Sequence, residues 1–108
     1  MMNQYRHGDV FIHKVRNLPE GATQLTPENT PQRFRGSKPV LAFGEVTGHA
    51  HVVDEGLLFE KDGQLWFRVP KKTTVKHEEH AQITLPKGIY HIVIQREYTP
   101  EAVRRVLD

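Results

Sequence analysis

Residues 57–69, LLFEKDGQLWFRV, consist of two apolar runs on either side of Lys61-Asp62-Gly63. Asp-Gly between apolar runs is the strongest short signal for a β-hairpin, because both central residues of its turn must tolerate positive φ. The stretch predicts two strands, Leu57 to Glu60 and Gln64 to Val69. It makes β-sheet the starting hypothesis for the whole chain.

Further short strands with turn signals between them are predicted on both sides of this hairpin. They are Val10 to Val15, Val40 to Val46 with an interruption before His49 to Val53, Thr73 to His77, Ala81 to Leu85 and Ile89 to Tyr98. Apolar alternation and flanking Gly and Pro residues support each of them. This spacing predicts a mainly β protein, either a small barrel or a sandwich.

Two segments depart from the strand pattern. Residues 18–39 include four prolines, which break both helix and sheet, so we predict a long Pro-rich loop with a short extended piece around Gln32 to Arg35. Thr99-Pro100-Glu101 combines an N-cap residue, a proline at the first helical position and an acid in the first turn. These residues predict a short terminal helix over 99–107.

Composition limits the class of protein. A chain of 108 residues fits one domain, 1–108. Its formal net charge is +2, and the sequence lacks the stripe of basic residues that a dedicated nucleic-acid binder carries. No cysteine is present, so any metal must be held by nitrogen and oxygen. No apolar run approaches the roughly 20 residues that span a bilayer, and residues 1–6 lack the apolar region of a signal peptide. We expect a cytoplasmic protein without a membrane partner.

Four of the seven histidines form two tight clusters, Gly48-His49-Ala50-His51 and His77-Glu78-Glu79-His80. At positions i and i+2 of a strand, His49 and His51 would share one face and could chelate one ion. His77 and His80 can bind one ion only if the backbone turns between them. The alternative interpretation of each cluster is a solvated polar surface. Together they match the ligands of Zn, Fe, Mn, Ni or Cu, so we predict a divalent-metal site.

The spacing of the first cluster resembles the first cupin motif, with Gly44, His49, His51, Glu55 and Gly63 in its positions. The second cupin motif is similar to Pro86, Gly88 and His91. The resemblance covers residues 44–95 and implies a small β-barrel that binds a metal through His49, His51, Glu55 and His91. GEVTGHAH, HEEH and QREY also resemble small bacterial and phage proteins of unassigned function.

Two ligand sets therefore share His49 and His51, and we favour His77 and His80 over Glu55 and His91 as the remaining ligands. Three protein ligands with an open position would favour catalysis, and four closed ligands a structural site. Glu79 is the candidate general base. Arg96 and Tyr98, which share one face of the last predicted strand, are candidate substrate-binding residues; an ion pair with a neighbouring strand is the alternative for Arg96.

Two hypotheses for function follow from these residues. The first is a metal-dependent enzyme of hydrolase type, in which the ion activates a water molecule that attacks a small anionic substrate. The second is a non-enzymatic binding module for nucleic acid or a protein partner, built around Arg33, Phe34 and Arg35. Exposed edge strands favour a homodimer in both cases.

Overall fold

The computed structural model describes residues 3–43, 49–78 and 80–94. The described residues form eleven β-strands and one 3-10 turn, Pro31–Arg33. The strands are β1 (Gln4–His7), β2 (Val10–Val15), β3 (Thr23–Leu25), β4 (Phe34–Arg35), β5 (Lys38–Phe43), β6 (Ala50–Val53), β7 (Leu57–Lys61), β8 (Gln64–Val69), β9 (Thr73–Lys76), β10 (Ile83–Leu85) and β11 (Gly88–Ile94). The prediction of a mainly β protein is confirmed.

The strands form two antiparallel sheets. One has six strands in the order β1-β2-β11-β8-β7-β3, and the other has five in the order β10-β9-β6-β5-β4. Each sheet ends in two edge strands, whereas a barrel needs an unbroken ring of strand pairing. The barrel that we considered, which the cupin resemblance also implied, is therefore wrong for the described part of the chain.

The hairpin at residues 57–69 is confirmed. β7 pairs with β8 from Leu57 opposite Arg68 to Lys61 opposite Gln64. Asp62 and Gly63 form the turn with φ values of +53° and +78°, the backbone conformation that the Asp-Gly sequence indicated.

The segment 18–39 contains more regular structure than a long loop. Leu25 of β3 lies opposite Leu58 of β7 and is buried in the core, while Phe34 of β4 lies opposite Pro39 of β5. These pairings are short because the prolines leave only two or three residues able to join a sheet. The extended piece expected near Arg35 corresponds to β4.

One hydrophobic core receives side chains from both sheets. In the six-stranded sheet, Ile12, Phe67 and Tyr90 are almost fully buried, and in the five-stranded sheet so are Leu41 and Val75. Burying each such side chain contributes roughly 1.5–3 kcal/mol. The core therefore fixes how the strands that carry the histidines lie.

The terminal helix predicted over 99–107 lies outside the described residues. Within the described ranges there is no α-helix, and so no helix long and apolar enough to cross a membrane.

Candidate metal centre

Three parts of the fold bring four histidines together. His7 ends β1, His51 lies on β6, and His77 and His80 lie in the connection between β9 and β10. β6 is the central strand of its sheet and pairs with β9, which places His51 beside His77.

His77 and His80 lie where the chain reverses direction, as one common ion would require. Ile83 of β10 lies opposite Val75 of β9, so the reversal falls between these two antiparallel strands. The two imidazole rings lie with their centroids 4.6 Å apart. A strand would have directed these side chains to opposite faces, and the turn removes that obstacle.

His51, His77 and His80 each present a ring nitrogen within 4.8 Å of the other two. Two nitrogens bound to one tetrahedral zinc ion are roughly 3.4 Å apart, given Zn–N bonds of about 2.0–2.1 Å. The ring nitrogens therefore need to approach one another by at most about 1.4 Å to share an ion. We call these three residues the histidine triad.

His7 orients the triad through two hydrogen bonds. Its Nε2 lies 2.9 Å from the carbonyl oxygen of Ala81, and its Nδ1 lies 2.8 Å from Nδ1 of His51. A carbonyl only accepts, so neutral His7 must donate from Nε2 and accept at Nδ1. His51 then carries its proton on Nδ1, which leaves the Nε2 lone pair of His51 available to an ion.

The electrostatics of His51 favour a cation. Its side chain is almost fully buried, and this burial, reinforced by His77 and His7, lowers its pKa to about 4. At neutral pH the ring is therefore neutral, as ligation requires. A carboxylate oxygen of Asp9 lies 3.6 Å from Nε2 of His51. In the tautomer fixed by His7, both of these atoms are acceptors, so a cation between them would relieve their repulsion.

Gly8 provides the space that the triad occupies. A Cβ atom at this position would lie 2.7 Å from Nε2 of His80 and 3.1 Å from Cε1 of His51. Gly8 also has a φ of +66° in the turn between β1 and β2. Glycine is therefore favoured in this turn for two reasons: the backbone has a positive φ, and a larger side chain would collide with the neighbouring imidazoles.

A second group consists of His49, His77 and Glu78, again with one ligand atom each within 4.8 Å. Glu78 accepts hydrogen bonds from its own backbone N–H, from the backbone N–H of Ala50 and from Arg35, and these lower its pKa to about 2. Glu78 is therefore a carboxylate across the working pH range. His49 lies on this side of His77, and so the structure places His49 and His51 in different groups.

The remaining predicted site residues lie elsewhere or outside the described ranges. His91 is on β11, where it stacks on Trp66 with ring centroids 4.7 Å apart and lies 2.9 Å from Gln64. Glu55 follows β6 and donates its backbone N–H to Thr73. His91 and Glu55 belong to neither group of candidate ligands. Glu79, Arg96 and Tyr98 lie outside the described residues.

Sequence reasoning did not include His7, Gly8 and Asp9 in the site. His7 belongs to neither histidine cluster of the sequence, yet its side chain is buried beside the rings of the triad. The available signal was the dense polar sequence Arg6-His7-Gly8-Asp9 immediately before a strand.

These observations define a two-sheet antiparallel β protein with a histidine cluster that extends from the buried His7 and His51 to the exposed His80 and whose geometry suits a metal ion. The chain belongs to the family described as "Domain of unknown function (DUF8820)", whose profile matches residues 6–95. This range includes His7 and the whole triad. No curated protein and no solved structure matches the chain.

Proposed function

We propose that this protein binds one divalent transition-metal ion through His51, His77 and His80 and acts as a metal-dependent hydrolase on a small anionic substrate. The observation that carries the proposal is the triad, with the tautomer of His51 fixed by His7. Three protein ligands leave a coordination position open, the arrangement typical of catalytic rather than structural sites. A metal in such a position supplies activated water at neutral pH.

The ligand chemistry narrows the choice of ion. Imidazole suits Zn, Cu, Fe and Ni, whereas Mn prefers carboxylate and water ligands. Asp9 beside His51 adds one negative charge to the three imidazole ligands. We therefore expect Zn, Fe, Ni or Cu before Mn.

A cavity beside the triad supports an anionic substrate. It has a volume of about 350 Å³ and is lined by His77 and Glu78 together with Arg35, Lys38 and Lys76. A volume of this size fits a small molecule. The three cations exceed the two acids of the lining, Asp54 and Glu78, by one charge, which favours an anion.

Glu79 is the candidate general base in this proposal because it precedes His80 directly in the sequence. Glu78 serves as its matched control, because it is the neighbouring carboxylate and is held by Arg35 and Ala50. Arg96 and Tyr98 remain the proposed substrate-binding residues of the sequence hypothesis.

The first experiment measures bound metals by elemental mass spectrometry in protein purified without chelator. We expect near-stoichiometric metal in the wild type and its loss in His51→Ala and His77→Ala. His91→Ala and Glu55→Ala are the controls, and both should keep the metal. Metal retained by the triad variants but lost from the controls would overturn this ligand assignment and favour the cupin-like set.

The second experiment tests hydrolysis of a panel of phosphate and carboxylate esters by the metal-loaded protein. Glu79→Gln should lose about 100-fold or more in kcat while keeping the metal, as is typical when a general base is removed. Glu78→Gln changes the lining of the cavity and should therefore alter KM more than kcat. Absence of bound metal after reconstitution, together with salt-dependent retention on nucleic acid, would instead favour the binding module.

A further inference from the structure

A second cavity lies away from the triad. It has a volume of about 770 Å³ and is formed where β2 and β8 end, where β11 begins, and beside Asn3. Asn3 is held there because its carbonyl accepts the backbone N–H of Lys14 at 2.7 Å. The cavity and His7 thus lie at opposite ends of the β1–β2 hairpin.

Four cations line this cavity: Lys14, Arg16, Arg68 and Lys87. The described residues that line it include no acid, and none of the four cations forms an ion pair with another described residue. The four carry a formal charge of +4, whereas the whole chain carries only +2, so the rest of the chain is net negative. This concave surface therefore carries a larger net positive charge than the chain as a whole.

Lys14 occupies a position that a purely structural strand would give to an apolar residue. It continues the alternation of Val10 and Ile12, whose side chains are fully buried on the core side of β2. A Cβ atom at Gly88 would lie 2.9 Å from Cε of Lys14. Glycine at this position therefore leaves room for the lysine stem to lie across the first residue of β11.

We propose that this cavity is a second binding site, for a small phosphorylated molecule that carries at least two negative charges. Phosphate oxygens accept paired hydrogen bonds from the N–H groups of arginine, and they attract the ammonium charge of lysine. Four like charges around one concavity repel one another, and a multivalent anion removes that repulsion. The volume lies within the range of small-molecule sites.

The arrangement of the four cations suits a small ligand better than a nucleic-acid strand. A strand-binding surface has cations along a stripe or groove that follows successive phosphates. Here the cations surround one cavity. The concave shape also allows several of them to approach one phosphoryl group.

The test is isothermal titration with inorganic pyrophosphate and with ADP. We expect saturable binding of one molecule per chain, weakened at least about tenfold in the double variant Lys14→Gln/Arg68→Gln, because charge-assisted hydrogen bonds are lost. Lys61→Gln, a lysine of β7 outside this cavity, is the matched control and should bind as the wild type does. Tighter binding of ADP than of pyrophosphate would indicate that the natural ligand is a nucleotide. Equal binding of the two would indicate that the site recognises the diphosphate group alone.

His77→Ala separates this site from the triad and should leave pyrophosphate binding unchanged. The double variant should also unfold at the same temperature as the wild type or a higher one, since it relieves repulsion; a structural role for these cations would lower it. Binding lost in His77→Ala, binding unaffected by the double variant, or no binding of either diphosphate would overturn the proposal. Binding of a single-stranded oligonucleotide without diphosphate binding would also overturn it.

Discussion

His7 connects a backbone carbonyl to the triad although it is not itself a proposed ligand. Its bond to Ala81 selects its own tautomer, and its bond to His51 selects the tautomer of that ligand. Partners of this kind orient a ligating imidazole and raise its basicity. Residue 7 therefore controls whether His51 presents a lone pair or a proton to the ion.

We predict that His7→Phe keeps a ring of similar size but lowers metal affinity about 10–100-fold, because His51 loses its orienting partner. Competition with a chromophoric chelator measures the affinity. His13→Phe is the control, since His13 pairs with Gln4 on the other end of the same hairpin. Equal affinities in the two variants would show that the His7–His51 bond does not act on the site.

We predict that Gly8→Ala weakens metal binding because the added Cβ atom collides with the triad. Gly36→Ala is the control that separates this collision from the effect of the backbone conformation. Both glycines have a φ of +66°, so both variants should lose roughly 1–2 kcal/mol from the left-handed backbone. A Cβ at Gly36 meets nothing within 4 Å, whereas at Gly8 it would displace His80. Metal titration should therefore separate them, with Gly8→Ala alone weakened by tenfold or more.

Urea unfolding of the metal-free Gly8→Ala and Gly36→Ala proteins measures how much stability each variant loses through its backbone conformation. Comparable losses in the two variants are expected. If Gly8→Ala still bound metal as tightly as Gly36→Ala, the triad could not lie where His80 and His51 now place it.

At this scale the sequence identified the clustered histidines but not their grouping. His49 was expected beside His51 because strand residues alternate, yet His49 precedes the first residue of β6, where the alternation does not apply. The register of β5 against β6 also shifts between Val40 and Ala42. His7 is 44 positions from His51, and no local pattern reports such a contact.

Among the elements, the connection from β10 to β11 has to cross from one sheet to the other. Tyr90 on β11 is fully buried and donates its hydroxyl to the carbonyl of Pro86 in that connection, at 2.6 Å. Burial raises the pKa of Tyr90 to about 12, so the phenol remains a donor throughout the working range. This bond joins the turn to the core of the six-stranded sheet.

Tyr90→Phe should therefore destabilise the protein by about 1 kcal/mol, the typical net contribution of one hydrogen bond. The melting temperature should fall by roughly 4–8 °C for a chain of this size. Tyr5→Phe is the control, because the Tyr5 ring packs edge-on against Tyr90 but its hydroxyl bonds to no described residue. A larger loss in Tyr5→Phe than in Tyr90→Phe would contradict the role of the Pro86 bond.

Element prediction succeeded where a pattern was long enough. The β7–β8 hairpin and β2 have five or six residues each and clear alternation or turn residues. β3 and β4 have three and two residues, too few for a period to be read. The partner of β3 is also distant in the sequence, since β3 pairs with β7 rather than with a neighbouring strand.

At the scale of the whole molecule, two polar regions lie at opposite ends of the β1–β2 hairpin. One contains imidazoles with nearby carboxylates, and the other contains four cations without an acid among the described lining residues. The formal net charge of +2 does not reveal this difference, because composition averages over both regions. The choice between barrel and open sheets was equally inaccessible, since it depends on which edge strands meet in space.

The burial that lowers the pKa values of His51 and His7 makes the metal-free protein sensitive to acid. The pKa of His51 falls from 6.5 to about 4 through burial and neighbouring histidines, and burial lowers the pKa of His7 in the same direction. Between these values the unfolded chain binds protons that the folded chain does not, so stability decreases as pH falls. The lowered pKa of Glu78 acts in the same direction, but its stabilising contribution is complete above about 4.5 and is lost only below that value.

We therefore predict that chelator-treated protein loses unfolding free energy as pH falls from 6.5 to 4.5. For His51 alone, the full shift corresponds to on the order of 3 kcal/mol. Urea unfolding across this window measures the slope, which His51→Gln should reduce. Bound metal should add least stability at the acid end, because protons compete with the ion for the same nitrogens. A slope that is unchanged in His51→Gln would mean that groups outside the triad carry the acid sensitivity, and that His51 is not held neutral by its surroundings.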